Sequence, residues 1–200
     1  MKHFRLCYRG ALLVVVSTFF IFLRSLINLV SDSETAGIRR GYLLHRWAIL
    51  AARILCIDIR VTGAPPLAPF FLTANHLSYV DIVVFSALLP CRFVSRGDLA
   101  HWPLLGYLSR SFDTIFIDRN RQRDALRVNQ EIATALRTGP GIVVFPEGTT
   151  SSGETVLPFR TALLEPMVKN GFPVSVAAIK YSTGMSMFPV AQTVCWWGDM

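Results

Sequence analysis

The chain has 200 residues, of which 52% are hydrophobic and 16% charged, a length and composition that suit one well-buried domain and exclude a disordered chain. The four cysteines lie far apart with no C-x-x-C pair, so we predict neither a zinc site nor a disulfide framework, and we expect a reducing compartment. The net charge of +7 is uneven, because the first 60 residues hold nine Lys and Arg against three acids. A basic, apolar N-terminal third favours an anionic membrane surface over nucleic acid, the alternative being an ordinary solvated basic face.

The first predicted element is an apolar helix. Residues 11–23 are apolar except for Ser17 and Thr18, and Arg24 ends the run. Thirteen helical residues rise about 20 Å, less than the roughly 30 Å of a bilayer's hydrocarbon core. Three interpretations stay open: a short tilted span, a helix dipping into one leaflet, or a signal peptide, for which residues 31–36 offer only a weak cleavage site.

Residues 37–56 predict a second helix. An apolar stripe runs along it, flanked by three arginines at seven-residue intervals, here called the arginine row: Arg39, Arg46 and Arg53. The stripe consists of Leu43, Trp47, Leu50 and Ile54. Arginines beside an apolar stripe favour a helix at the bilayer interface, although packing on its own domain gives the same pattern.

Strands and helices alternate through the rest of the chain. Period-two alternation predicts a strand at 57–61, and apolar runs predict further strands at 70–74, 92–95, 114–118, 142–145 and 174–181. Helices are predicted between them at 81–89, 98–110, 121–138 and 161–170. We therefore predict an α/β fold with a mostly parallel mixed sheet flanked by helices.

Polar residues follow three of the predicted strands, where reactive groups gather in such sheets. His76 comes after the first apolar strand, Asp118 and Arg119 after another, and Glu147 after the strand at 142–145. If a helix begins near Ser78, His76 lies in the preceding loop and folds back towards Asp81. The carboxylate then fixes one ring nitrogen and leaves the other as a general base. Alternatively, Asp81 only caps that helix.

Three blocks in order resemble the glycerolipid acyltransferase family. They read Asn-His-x4-Asp at 75–81, Phe-Ile-Asp-Arg at 116–119 and Phe-Pro-Glu-Gly-Thr at 145–149. The resemblance covers about residues 40–185 and is nearest to the branch that acylates lysophosphatidic acid to phosphatidic acid. We therefore expect a membrane-associated segment over residues 1–36 and an acyltransferase domain over 37–200.

The resemblance implies roles for six residues. His76 is the expected base and Asp81 its partner; Arg119, Glu147, Gly148 and Thr149 are expected to bind substrate, with Arg119 on a phosphate or head group. Backbone N–H groups near Gly148 are candidate oxyanion donors. The chemistry needs neither a metal nor another cofactor, because the acyl-CoA or acyl-ACP co-substrate is already activated.

The chain departs from the family pattern at two blocks. Thr150 stands where an arginine is common, and the fourth block keeps only Pro173 of two prolines, with Val176 at the second place. The loss of one phosphate-binding cation makes a lyso-ornithine lipid an alternative acceptor. Family members usually continue beyond a point equivalent to Met200, so a truncated or shortened domain is expected.

The sequence thus predicts a lipid O-acyltransferase at the cytoplasmic face of a membrane, the inner membrane if bacterial. Its partners are a lysolipid, an acyl thioester and the bilayer, with no nucleic acid. The apolar segment 99–108 predicts either an acyl-chain groove or a core helix. A non-catalytic lipid-binding protein on the same fold is the alternative from another class. A serine or cysteine hydrolase is disfavoured because no G-x-S-x-G is present.

Overall fold

A computed structural model describes residues 2–103, 105–118, 124–183 and 190–195. Two long helices precede an alternation of strands and shorter helices. The helices are α1 Lys2–Val30, α2 Ser33–Leu55, α3 Val80–Leu88, α4 Leu105–Ser111, α5 Asp124–Thr138, α6 Glu165–Lys169 and α7 Val190–Thr193. The strands are β1 Phe70–Ala74, β2 Arg92–Arg96, β3 Ile115–Ile117, β4 Gly141–Val144 and β5 Val174–Ala177, and two 3-10 turns cover Gly97–His101 and Thr161–Leu163.

The five strands form one parallel sheet in the order β3-β2-β4-β1-β5. Every residue of β1 and of β4 is buried, which explains why these strands read as continuous apolar runs rather than as alternations. The parallel α/β fold predicted from the sequence is confirmed. The two central strands β1 and β4 are neighbours, so the loops that follow them emerge side by side at the carboxyl edge of the sheet.

Each face of the sheet has its own core. Phe70, Leu72 and Ala74 of β1 face a core shared with Trp47 of α2. Phe71 points the other way, into a core that contains Val128, Ile132 and Leu136 of α5 and Met167 of α6. The strand's period of two thus distributes its side chains between two helical layers.

The helices α1 and α2 pack against each other and against the sheet domain. Trp47 Nε1 donates a hydrogen bond to Ser17 Oγ at 3.1 Å, and Phe20 is buried beside it. Asp113, in the turn before β3, accepts a hydrogen bond from Arg40 of α2 and lies 4.0 Å from Arg24 of α1. Arg24, which ends the apolar run, therefore lies beside a carboxylate of the sheet domain.

The face of α2 that is buried differs from the predicted stripe. Trp47 is buried as expected, but Leu50 is exposed and Leu43 and Ile54 are only partly covered. Small residues fill the contact instead: Ala36, Ala48, Ala51 and Ala52. Alanines let α2 approach its neighbours closely, which a ranking by hydrophobicity does not capture. The arginine row is exposed, as the membrane-surface interpretation requires.

Two local predictions are wrong. Residues 57–61 form no strand of the sheet; Ile57 and Ile59 are half-buried while Asp58 and Arg60 are exposed, so the alternation in sequence reflects burial on one side alone. The helix predicted over 98–110 is broken into the 3-10 turn and α4, with Pro103 between them. Proline lacks the N–H that a continuous helix requires and clashes with the preceding turn.

Candidate active site

His76 lies in the loop between β1 and α3, two residues beyond the end of the strand. Because α3 begins only at Val80, the histidine folds back on the first helical turn. His76 Nδ1 lies 2.6 Å from Asp81 Oδ2, and the imidazole is 15% exposed. Nε2 makes no hydrogen bond with any residue that the structure describes. A general base needs such an arrangement, with one ring nitrogen held by a carboxylate and the other available.

Asp81 is completely buried and its carboxylate is fully paired. Oδ2 accepts the backbone N–H groups of Leu77 at 2.7 Å and Ser78 at 3.1 Å besides the His76 ring. Oδ1 accepts the hydroxyl of Tyr181 at 2.5 Å. The bond from Ser78 N is the one a helix cap would use, so the dyad and the cap of α3 share one carboxylate.

The plane of the His76 ring is set by Phe145. The two rings stack with centroids 4.1 Å apart and an interplanar angle of 10°. Phe145 follows β4 directly and also contacts Phe85 and Phe93 within the core. Stacking on one side and the Asp81 bond at one edge leave the imidazole little freedom to rotate.

Glu147 joins the loop after β4 to the loop that carries His76. Its side chain is buried; Oε1 accepts the backbone N–H of His76 at 2.8 Å, and Oε2 accepts that of Leu157 at 3.0 Å. A second tie runs from Ser151 N to His76 O at 3.0 Å. Glu147 therefore positions the backbone at the base, while its predicted contact with the acceptor stays a prediction.

Of the remaining predicted site residues, the structure describes Gly148 and Thr149 but not Arg119. Gly148 adopts a left-handed φ of 76°, which favours glycine, and its N–H donates to Phe145 O at 3.0 Å, so that N–H is not free for an oxyanion. Gly148 and Thr149 line the same cavity as His76. Arg119 lies outside the described residues, and its predicted contact with a head group stays a prediction.

A cavity of about 410 Å³ opens beside His76. Its wall is largely apolar and includes Trp47 of α2 together with Ile82, Val83, Leu108 and Phe112. Leu99 and Trp102, from the segment predicted as a groove, also line it. Arg96 and Asp98 stand in the wall as an ion pair of 2.7 Å. The cavity can hold a long apolar chain with its reactive end at the histidine.

Asn75 and Tyr181 are functional candidates that the sequence alone did not reveal. Asn75 belongs to the Asn-His-x4-Asp block and Tyr181 ends a predicted strand, and neither pattern indicates the contacts that these side chains make. Their partners lie about a hundred positions away in the chain, at separations of 104 for the Asn75–Ile179 bonds and 100 for the Tyr181–Asp81 bond. Cys91, by contrast, is buried, and burial raises the pKa of its thiol to about 12, which disfavours it as a nucleophile.

Known proteins that are similar to this chain are acyltransferases. The family model described as Acyltransferase matches residues 58–190. The lyso-ornithine lipid O-acyltransferase of Pseudomonas aeruginosa is 32% identical over 183 residues, covering 90% of this chain and 70% of that protein. The 1-acyl-sn-glycerol-3-phosphate acyltransferase of Neisseria meningitidis is 36% identical over 135 residues, which are 66% of this chain and 52% of that protein.

A solved structure shares the fold. The crystal structure of the 1-acyl-sn-glycerophosphate (LPA) acyltransferase PlsC from Thermotoga maritima matches with a TM-score of 0.60 at 26% identity, covering 88% of this chain and 75% of that one. The chain belongs to the Acyltransferase family. It is an acyltransferase enzyme, which confirms the resemblance drawn from the three blocks and disfavours a non-catalytic lipid-binding protein.

One helix of the described chain is long and apolar enough to cross a membrane. The stretch Phe4–Val30 has a mean hydropathy of 2.2, and only 11% of its most apolar window is buried in the fold. Exposed apolar side chains concentrate on this helix, among them Phe4, Val14, Phe19 and Leu29. Length and composition alone also fit a signal sequence, so the finding supports membrane association without fixing its mode.

Proposed function

We propose that the enzyme transfers a fatty acyl group from acyl-CoA or acyl-ACP to the free hydroxyl of a lysolipid. His76 Nε2 removes the hydroxyl proton as the oxygen attacks the thioester carbon, and the thiol departs as the C–S bond breaks. The observation that carries this proposal is the 2.6 Å contact between His76 Nδ1 and the buried Asp81, at the wall of an apolar cavity. The reaction uses no metal, because the thioester supplies the activation.

The charge that develops on the thioester oxygen requires hydrogen-bond donors. The backbone N–H groups of Thr149 and Thr150 line the cavity and donate to no residue that the structure describes. They are better placed for this task than Gly148, whose N–H is held by Phe145. Thr149 and Thr150 directly follow the left-handed turn at Gly148.

The acceptor is proposed from the charges around the cavity. Among the described residues that line the cavity, Arg96 is the one with a cationic side chain, and it is already paired with Asp98. A phosphate monoester favours two or more unpaired cations, whereas an ornithine head group brings one carboxylate and one ammonium and can exchange partners with an ion pair. With Thr150 in place of an arginine, a lyso-ornithine lipid is the acceptor that these residues favour, in line with the name of the Pseudomonas aeruginosa relative.

Lysophosphatidic acid is the second candidate acceptor. The Neisseria meningitidis and Thermotoga maritima relatives bear names that specify it. The predicted role of Arg119 as a phosphate ligand also favours it. Either product places the enzyme in membrane-lipid biosynthesis.

A side-by-side acyl-transfer assay tests the proposal. Purified enzyme in mixed micelles is offered lyso-ornithine lipid or lysophosphatidic acid with radiolabelled acyl-CoA or acyl-ACP. We expect transfer by the wild type and its loss in His76→Ala, while His101→Ala, which removes an exposed histidine, retains activity. Near-normal activity of a folded His76→Ala variant would refute the mechanism. A preference for lysophosphatidic acid would refute the choice of acceptor alone.

We propose that α1 and the arginine row hold the enzyme at the cytoplasmic face of its membrane. Native thiols provide a test of this orientation. In a Cys7→Ser variant, Cys56 at the end of α2 is an exposed thiol for an impermeant maleimide. Labelling of inverted vesicles but not of right-side-out vesicles is expected, and the opposite pattern would place the domain on the other side.

A further inference from the structure

The chain that follows β5 closes over the His76–Asp81 pair. The side-chain amide of Asn75 binds both backbone groups of Ile179: Nδ2 donates to Ile179 O at 3.1 Å, and Oδ1 accepts Ile179 N at 2.8 Å. This two-point clamp resembles one rung of a β-ladder and continues the pairing of β1 with β5. It fixes the segment two residues before Tyr181.

The Asn75–Ile179 clamp holds the Tyr181 hydroxyl within hydrogen-bonding distance of Asp81. Among the described residues, Tyr181 is the donor that Oδ1 receives, at 2.5 Å, whereas the other three donors converge on Oδ2. Burial, together with the neighbouring Asp81 charge, raises the pKa of the Tyr181 phenol, so the hydroxyl keeps its proton and remains a donor. The two carboxylate oxygens are thus held by opposite sides of the site.

We infer that Tyr181 is a positioning residue that, held by Asn75, orients Asp81 and sets how strongly it binds the protonated His76. The inference rests on the proposed role of His76 as the base. A short bond from a phenol draws negative charge away from Oδ2, so the carboxylate holds the imidazolium less tightly. Removing the Tyr181 hydroxyl should therefore strengthen the hold of Asp81 on the imidazolium, so that catalysis requires a higher pH.

Two other titratable groups lie close to the His76–Asp81 pair and must be considered when its pH dependence is measured. The carboxylate of Glu147 is bound to the His76 backbone, and Cys195 lies near Asp81. Burial, and to a lesser extent the Asp81 charge, raises the pKa of the Cys195 thiol. Neither group donates to Asp81 Oδ1, so both remain unchanged when the Tyr181 hydroxyl alone is removed.

The test is the pH–rate profile of Tyr181→Phe, with Tyr107→Phe as a matched change at an exposed tyrosine. We expect kcat to fall about tenfold, the lower end of what one charge-assisted hydrogen bond contributes, with KM for donor and acceptor within about twofold. The acid limb of the kcat profile should move to higher pH. Fluorotyrosine at position 181 makes the phenol a stronger donor and should move that limb the other way, which a structural role would not do.

The clamp is tested by a double-mutant cycle. Asn75→Ala should reduce kcat to a similar extent, and Asn75→Ala combined with Tyr181→Phe should lose little more, because both act through one bond. If thermal melts show that Tyr181→Phe is unfolded, the acid limb of the fluorotyrosine enzyme tests the inference instead. Wild-type kcat and an unmoved acid limb in a folded Tyr181→Phe variant, with His76→Ala inactive, overturn this inference alone. An active His76→Ala variant overturns the proposed function as well.

Discussion

Asp81→Asn separates catalysis from helix capping, because the structure dictates how the new amide must lie. Leu77 N and Ser78 N both point at Oδ2, so the asparagine oxygen takes that position and its NH₂ faces the Tyr181 hydroxyl, which must become an acceptor. The His76 tautomer is therefore kept, and what is lost is the negative charge that stabilises the imidazolium. We expect kcat to fall about 10²- to 10³-fold, within the range of general-base catalysis.

The same change weakens the fold by a smaller amount. Three hydrogen bonds to Oδ2 change from a charged to a neutral acceptor at about 1 kcal/mol each, partly offset because a buried charge is removed. A net loss of about 2 kcal/mol lowers Tm by about 6 °C in a chain of this size. Calorimetry and the acyl-transfer assay on the same preparation measure both effects.

Ser78→Ala is the control for that prediction. Ser78 Oγ accepts Val80 N at 3.2 Å, so its removal loosens the start of α3 by about 1 kcal/mol without touching the His76–Asp81 contact. We expect a lower Tm with kcat nearly unchanged. If Asp81→Asn also keeps its rate and lowers only Tm, then Asp81 is a helix cap and the proposed dyad is refuted.

Three further predictions concern the framework. Gly141→Ala should destabilise the fold by about 2 kcal/mol in urea titration, since a Cβ there would lie 2.3 Å from the Phe70 ring; Gly10→Ala, with open space, should not. Asp113→Ala should cost about 2 kcal/mol by removing the carboxylate that Arg24 of α1 and Arg40 of α2 share; equal unfolding midpoints would contradict the role assigned to it. Changing the arginine row to glutamine should weaken binding to anionic vesicles about 100-fold in sedimentation, at about 1 kcal/mol per charge, and leave binding to neutral vesicles unchanged.

The sequence predicted the parts of this protein that depend on local pattern. Buried runs identified β1 and β4, and the position of His76 after β1 followed from the way reactive groups gather at strand ends. Residues 57–61 were misassigned as a strand because alternation shows which side is buried, not whether a neighbouring strand exists. The buried face of α2 was misjudged because alanines and Leu44 form most of it beside Trp47.

The parts that could not be predicted are contacts between distant segments. Glu147 serves the His76 backbone 71 positions away, and nothing near either residue in the chain indicates that pairing. Nothing in the sequence beside Tyr181, which lies between Lys180 and Ser182, indicates a partner, and only the pairing of β1 with β5 brings it to Asp81. Such contacts follow from the topology of the sheet, which local periodicity does not specify.

The order of the strands along the chain also determines when each part of the site is synthesised. The loop that contains His76 leaves the ribosome early. The segment with Glu147, which binds the His76 backbone, follows β4. Tyr181, whose hydroxyl binds Asp81, follows β5 and lies 100 positions after Asp81. Closing loops of that length is a late step in folding, since the entropy is lost before the contacts form. An emerging chain therefore carries the proposed base before its partners, and the proposed site is complete only once the chain has been made as far as Tyr181.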